Sequence, residues 1–241
     1  MICIVLLHVS FNIIKMKYDS GFQQKGTCYG PDILEKYLDY ERIHEIKARD
    51  TRNNLGEGFM QSLAVHDAEK FPLLIGSEST NSISSIFASN MYCKKKDKSL
   101  CVLWCSPLKD DVSIFNNFIH TTIPVLCGYK FPELWFGNFL NSSQFMYYSK
   151  DNHKNENSYS IVDKYNVILC LEKYDKVHVV FDTTLLYNDK NEDKYSYEEI
   201  NDMFSNLKIM RKNLAMDVIG FNPIFGDEAH KISNIATLLV S

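Results

Sequence analysis

Short apolar runs, many rich in β-branched residues, recur along the chain, and each is about the length of one strand. They are Ile2 to Leu7, Phe71 to Ile75, Leu100 to Cys105, Gln144 to Tyr148, Val177 to Asp182 and Ala215 to Val218. Most are apolar on both faces, which is how parallel strands lying between two helix layers read. Helices are expected between them, over 31–40, 58–69, 82–89 and 197–213. Pro31, behind Gly30, sits at a first helical position, and Ser196 precedes Glu198 and Glu199, which would fall in a first turn. Gly226, Asp227 and Glu228 open a last helix toward Ala236 and Leu239. Strand and helix alternating this often predicts the α/β class, with a mainly parallel sheet of about six to eight strands.

No repeat or linker divides the 241 residues, so residues 1–241 are expected to form a single domain. Hydrophobic residues at 45% and charged residues at 23% are enough for a packed core and exclude a disordered chain. The net charge of −4 and a pI near 6.0 give no basic footprint for nucleic acid or anionic lipid. Ile2 to Leu7 lacks the basic flank of a signal peptide and is far too short to span a bilayer, so it reads as a buried strand and no membrane is implied. The 7 cysteines show no disulfide-type spacing and fit a reducing, cytoplasmic setting. Cys101 and Cys105 share a strand face and read as small buried hydrophobes. With Cys127 they lack any zinc-knuckle spacing. The stretches 149–157 and 188–194, and the cluster Lys94 to Lys98, read as solvated connections.

Parallel α/β sheets bind ligands at the carboxyl ends of their strands. In this chain the strands lead into Gly76 to Thr80, Ser106 to Asp111, Asp182 to Leu185 and Ile219 to Pro223. Those segments carry a family resemblance. The chain resembles the arginase and agmatinase (ureohydrolase) family, with Gly30 to Leu34 similar to its N-terminal glycine-proline signature. Leu74 to Ile86 is similar to the G-G-D-H-S segment, Leu100 to Asp110 to the strand ending in D-A-H-x-D, and Val177 to Thr184 to I-H-L-S-F-D-V-D. Ala215 to Gly226 is similar to L-D-L-V-E-V-N-P-x-L-G. These segments, in the family's order, imply a three-layer α/β/α arginase-like fold.

The family hydrolyses guanidinium groups with hydroxide bridging two manganese ions, a chemistry that needs dense carboxylate and imidazole ligation. Carried onto this chain, the ligand positions fall on Ser79, Ser106, Leu108, Asp110, Asp182 and Thr184, of which only Asp110 and Asp182 keep the family's residue. The glutamate that grips the substrate falls on Gly220, and His120 is similar to a histidine that aids proton transfer. Two carboxylates cannot offset a pair of divalent cations in a dry cleft. The resemblance therefore implies an inactive arginase-like protein, with no catalytic residues and no metal or other cofactor, the ancestral binuclear manganese being lost. The shortened stretch between His120 and Asp182, and the lack of a C-terminal tail after the last helix, put the family's specificity and trimer in doubt.

The expected role is binding, regulatory or structural, through a protein partner or a homo-oligomer. Phe131 to Phe136 is one candidate anchor for that contact, and Trp135 and Phe136 can equally be read as packed in the core. The alternatives are a residual metal-dependent hydrolase using Asp110 and Asp182, with Ser79 or Glu78, and a small-molecule sensor using the remnant cleft. Asp110 and Asp182 can also be read as strand-end residues that cap local backbone, and His178 as a packed strand residue needing one hydrogen bond.

Overall fold

A computed structural model describes residues 11–17, 26–47, 51–106, 144–148, 160–163, 165–187, 195–224 and 228–240. The strands are β1 (Phe11–Met16), β2 (Arg42–Ile46), β3 (Phe71–Gly76), β4 (Leu100–Cys105), β5 (Phe145–Tyr148), β6 (Ser160–Val162), β7 (Lys176–Asp182) and β8 (Asn213–Ile219). They form an eight-stranded sheet in the order β2-β1-β3-β8-β7-β4-β5-β6, with each neighbouring pair parallel. The helices are α1 (Gly30–Glu35), α2 (Thr51–Asp67), α3 (Ser82–Lys95), α4 (Val167–Leu171), α5 (Thr184–Tyr187), α6 (Tyr197–Met210) and α7 (Ala229–Val240).

Side chains on a strand alternate between faces, so a strand buried on both sides feeds two cores. In β4, Cys101, Leu103 and Cys105 join one core with Leu34 of α1, Leu171 of α4, Phe204 of α6 and Ile232 of α7. Leu100, Val102 and Trp104 join the other, with Leu55, Phe59 and Leu63 of α2 and Ile86 and Phe87 of α3. Two helix layers with a sheet between them make the three-layer α/β/α architecture.

Local chemistry sets the helix ends. In α6, Ser196 and Glu199 form a reciprocal capping box, with Glu199 N–H donating to Ser196 Oγ at 3.1 Å and Ser196 N–H to Glu199 Oε2 at 2.8 Å. Its Ile200, Met203, Phe204 and Leu207 then fall on one buried stripe. Helix α1 stops at Glu35, short of the expected Tyr40, because Lys36, Tyr37 and Leu38 donate three residues back, to Ile33, Leu34 and Glu35. Helix α2 begins ahead of Gly58 and carries that glycine inside it. A Cβ there would lie 2.8 Å from Ser84 Oγ and 2.9 Å from Met16 Sδ, so glycine lets α2 approach α3 and β1.

Helix α3 continues to Lys95, so the basic cluster at 94–98 is half helical and not a plain connection. Lys95 pairs with Asp67 at 3.2 Å and Lys96 with Glu69 at 3.4 Å, beyond the end of α2. Strands β1, β2 and β6 have no counterpart in the expected runs. Ile2 to Leu7 and the stretch 149–157 lie outside the described residues, as does all of 188–194.

Candidate functional site

Four adjacent strands, β3, β8, β7 and β4, end together at one rim of the sheet. In register, Gly76 stands beside Ile219, Ile219 beside Asp182, and Phe181 beside Cys105. The residues just beyond are therefore Ser77, Gly220, Thr183 and Ser106, and Thr183 N–H extends the β7–β8 ladder by donating to the Ile219 carbonyl at 3.0 Å.

Asp182 is the hub of this rim, with its side chain withdrawn from solvent. Its Oδ1 accepts from Thr184 twice, from the backbone N–H at 2.9 Å and from the hydroxyl at 2.6 Å. Its Oδ2 accepts from the Ser106 hydroxyl at 3.3 Å. Burial pushes the Asp182 carboxyl up from its ordinary value, against the pull of the Thr184 hydroxyl and N–H and the Ser106 hydroxyl. Ser106 is itself fixed from β5, whose Tyr147 hydroxyl donates to the Ser106 carbonyl.

Ser79 belongs to the neighbouring turn. It opens a short 3₁₀ turn, Ser79–Asn81, that leads into α3. Glu78, fully buried, caps that turn. Its backbone N–H donates to Asn81 Oδ1 at 3.2 Å, its carboxylate accepts from Asn81 N–H, and the Thr80 hydroxyl also donates to it. Ser77 Oγ donates to the same Asn81 oxygen at 3.3 Å. Gly220 follows β8 directly, with φ of 74°, a left-handed conformation that disfavours any residue with a Cβ. Ser106, Asp182 and Thr184 are thus joined directly, and Ser79 and Gly220 stand at the ends of neighbouring strands. Leu108, Asp110 and His120 lie outside the described residues, as do Cys127 and Phe131 to Phe136.

A site for two divalent cations needs oxygen or imidazole donors whose lone pairs are free and whose charge offsets the metal. At Ser79, Ser106 and Thr184 the groups are neutral hydroxyls, and the one carboxylate among them already accepts from protein donors at both oxygens. Among the described residues, that donor set does not fit a binuclear manganese centre. Among the described residues, no group of three or more histidine, cysteine, aspartate or glutamate side chains is placed to hold a metal ion. Cys101 and Cys105 are buried in one core cluster, and burial pushes both thiols far above their ordinary value, which leaves them inert.

The polar group that sequence reasoning undervalued is His178. Its Nδ1 lies 2.8 Å from Ser89 Oγ, and its Nε2 lies 3.0 Å from Asp217 Oδ2, in ion-pair range though not aligned as a hydrogen bond. Ser85 Oγ donates to the same Asp217 oxygen at 2.6 Å. Ser89 and Asp217 lie far from His178 along the chain, so no local spacing announces the group.

No family model and no curated protein matches the chain by sequence. Solved structures do match. An arginase from Bacillus subtilis superposes with a TM-score of 0.76 over 96% of this chain and 98% of that chain, at 13% identity. The fold is that of the ureohydrolases. Formimidoylglutamase from Bacillus subtilis matches with a TM-score of 0.70 over 96% of this chain and 86% of that chain, at 9% identity. Agmatine ureohydrolase of Thermoplasma volcanium matches with a TM-score of 0.64 over 96% and 88%, at 11% identity. At such low identities it is the ureohydrolase fold that is shared, and function has to be argued from the rim itself. No helix among the described residues is long and apolar enough to cross a membrane.

Proposed function

We propose that this chain is a ureohydrolase-fold protein that has given up manganese-dependent hydrolysis and acts by contact with a protein partner or with a second copy of itself. One observation carries the reading. Both oxygens of Asp182 are held by Ser106 and Thr184, residues that stand where the family resemblance places metal-binding carboxylates. A carboxylate used in this way is a structural pin for the rim. Gly220, in place of the substrate-gripping glutamate, supports the same reading, because it leaves no negative charge there for a guanidinium. The role is binding, regulatory or structural, in the cytoplasm, without a cofactor.

Metal analysis of the purified full-length protein, with urea release from arginine and agmatine, tests this. The expected result is no stoichiometric manganese and no urea above background. Manganese-stimulated urea release that disappears in Asp182→Ala would establish a residual hydrolase using Asp110 and Asp182 instead. Tight binding of a metabolite by a chain that stays monomeric would establish a small-molecule sensor.

A further inference from the structure

Away from the rim, a second polar group runs through the dry core between the sheet and one helix layer. His66, in the last turn of α2, places Nε2 2.9 Å from Ser89 Oγ of α3. The same hydroxyl lies 2.8 Å from His178 Nδ1 of β7, whose Nε2 faces Asp217 of β8. His66, Ser89, His178 and Asp217 are each at most 1% exposed. Two helices and two strands are thus tied through one serine hydroxyl.

We propose that this His66–Ser89–His178–Asp217 chain is an acid-sensitive latch that holds the α2–α3 layer on the sheet and lets it go when His66 takes up a proton. The Ser89 hydroxyl has one hydrogen and stands between two imidazole nitrogens, so it can donate to one ring only and the other ring must donate to it. One proton on each imidazole satisfies both contacts. His178 has the Asp217 side chain beside it. A further proton on His66 has no such partner among the described residues.

Among the described residues, the surroundings of His66 give that proton nothing else. From α3, Tyr92 stacks on the ring at 5.1 Å between centroids and brings no counter-charge. The strands packed under α2 give Ile14, Met16, Ile46 and Leu74 to the apolar core of this layer, and the titratable group on that side is His44 of β2, half-buried beside Ile14 and next to the Arg42 charge. On or near its own helix, Asp67 and Glu69 are turned to Lys95 and Lys96. Beyond Ser89 the next group is a second imidazole. Burial, with the nearby His178, pushes His66 down from 6.5 to about 3. Hydrating the ring restores its ordinary basicity, so acid favours whatever state exposes it. Since α2 and α3 share one core cluster, exposing His66 means lifting that layer. Between those two pH values one proton separates the states, and each unit of pH shifts the balance up to about tenfold toward release. On the other face of the sheet α6 and α7 carry no buried histidine, and His230 of α7 is exposed.

Hydrogen exchange by mass spectrometry on the full chain, at pH 7.5, 6.5 and 5.5 and corrected for intrinsic rates, reads the latch directly. Protection over 51–67 and 82–95 is expected to fall several-fold between pH 6.5 and 5.5, while 197–210 and 229–240 change little. In His66→Gln, where the amide can still donate to Ser89 but cannot be protonated, that difference should vanish. Equal loss from both helix layers, or a difference that persists in His66→Gln, overturns the proposal. If the variant does not fold, imidazole nitrogen spectra of the wild-type protein decide. His66 must stay neutral at pH 5.5 wherever the layer is still protected, and titration near 6.5 in the closed state refutes the latch.

Discussion

Thr184 grips Asp182 from two sides, its backbone N–H at 2.9 Å and its hydroxyl at 2.6 Å converging on one carboxylate oxygen. The bonds close a small ring at the end of β7 and turn the chain into α5. For such a pin the acceptor geometry matters and the charge does not. Asp182→Asn keeps an oxygen toward Thr184 and turns an amide toward Ser106 Oγ. It is expected to be as stable as the wild type at neutral pH, or more stable, since it buries no charge. Asp182→Ala strands three donors and is expected to lose about 1–3 kcal/mol. Urea denaturation of both variants checks this, and an Asn variant as damaged as the Ala variant refutes the pin.

The two buried titrations have opposite signs. Asp182 has a raised carboxyl, so the folded state binds its proton more readily and this group favours folding more as pH falls through the folded value. His66 is depressed from 6.5 to about 3, so the unfolded state takes that proton first and stability is lost as pH falls below 6.5. One such proton changes stability by at most about 1.4 kcal/mol per pH unit. The difference in unfolding free energy between wild type and His66→Gln, measured from pH 7.5 to 5, should shrink as pH falls. A difference independent of pH would show that His66 does not titrate on unfolding.

Gly30 and Gly56 make opposite predictions for one substitution. A Cβ on Gly30 would lie 2.1 Å from the Phe221 carbonyl oxygen, which is backbone and cannot rotate away. Gly30→Ala is expected to cost about 1–3 kcal/mol, with the α1 end of the sheet displaced. Gly56 lies inside α2 with nothing within 4 Å of an added Cβ, so Gly56→Ala should stabilise by about 0.5–1 kcal/mol. Thermal melts of the two single variants decide, and the signs must differ.

Gly220→Glu restores the carboxylate that the family resemblance places at this position, but on a backbone at φ 74°. The expected result is a loss of about 1 kcal/mol or more, with no urea release from arginine or agmatine. Gly220→Ala carries the same backbone penalty without the charge. Equal losses in the two variants would assign the cost to the backbone, and a fully stable Gly220→Glu would show that the turn relaxes.

The apolar strands declared themselves because burial on both faces leaves an unbroken hydrophobic run, as in β4, and the capping pair Ser196 and Glu199 marked the start of α6. Strand β1 did not, because Asn12 and Lys15 interrupt it. Lys15 is tolerated there only because Asp32 and Glu35 of α1 come to within 3.0 and 2.8 Å of its ammonium, an arrangement that exists only after folding. Edge strand β2 is mostly half exposed to exposed and carries charge for that reason. At the rim, motif order located Ser106, Asp182 and Thr184, but residue types alone could not say that the hydroxyls turn inward on the carboxylate. The His66–Ser89–His178–Asp217 group left no trace in spacing, because its members come from elements far apart in the chain.

The position of β8 governs how such a chain can be made. It lies between β3 and β7, so the sheet divides into β2-β1-β3 on one side and β7-β4-β5-β6 on the other until residues 213–219 arrive. A growing chain on the ribosome therefore carries two unfinished sheets, each with a raw inner edge able to pair with a neighbour. Both edges are closed at once by β8, so joining the two halves waits until residues 213–219 have emerged, and chaperone demand should be highest just before that strand appears.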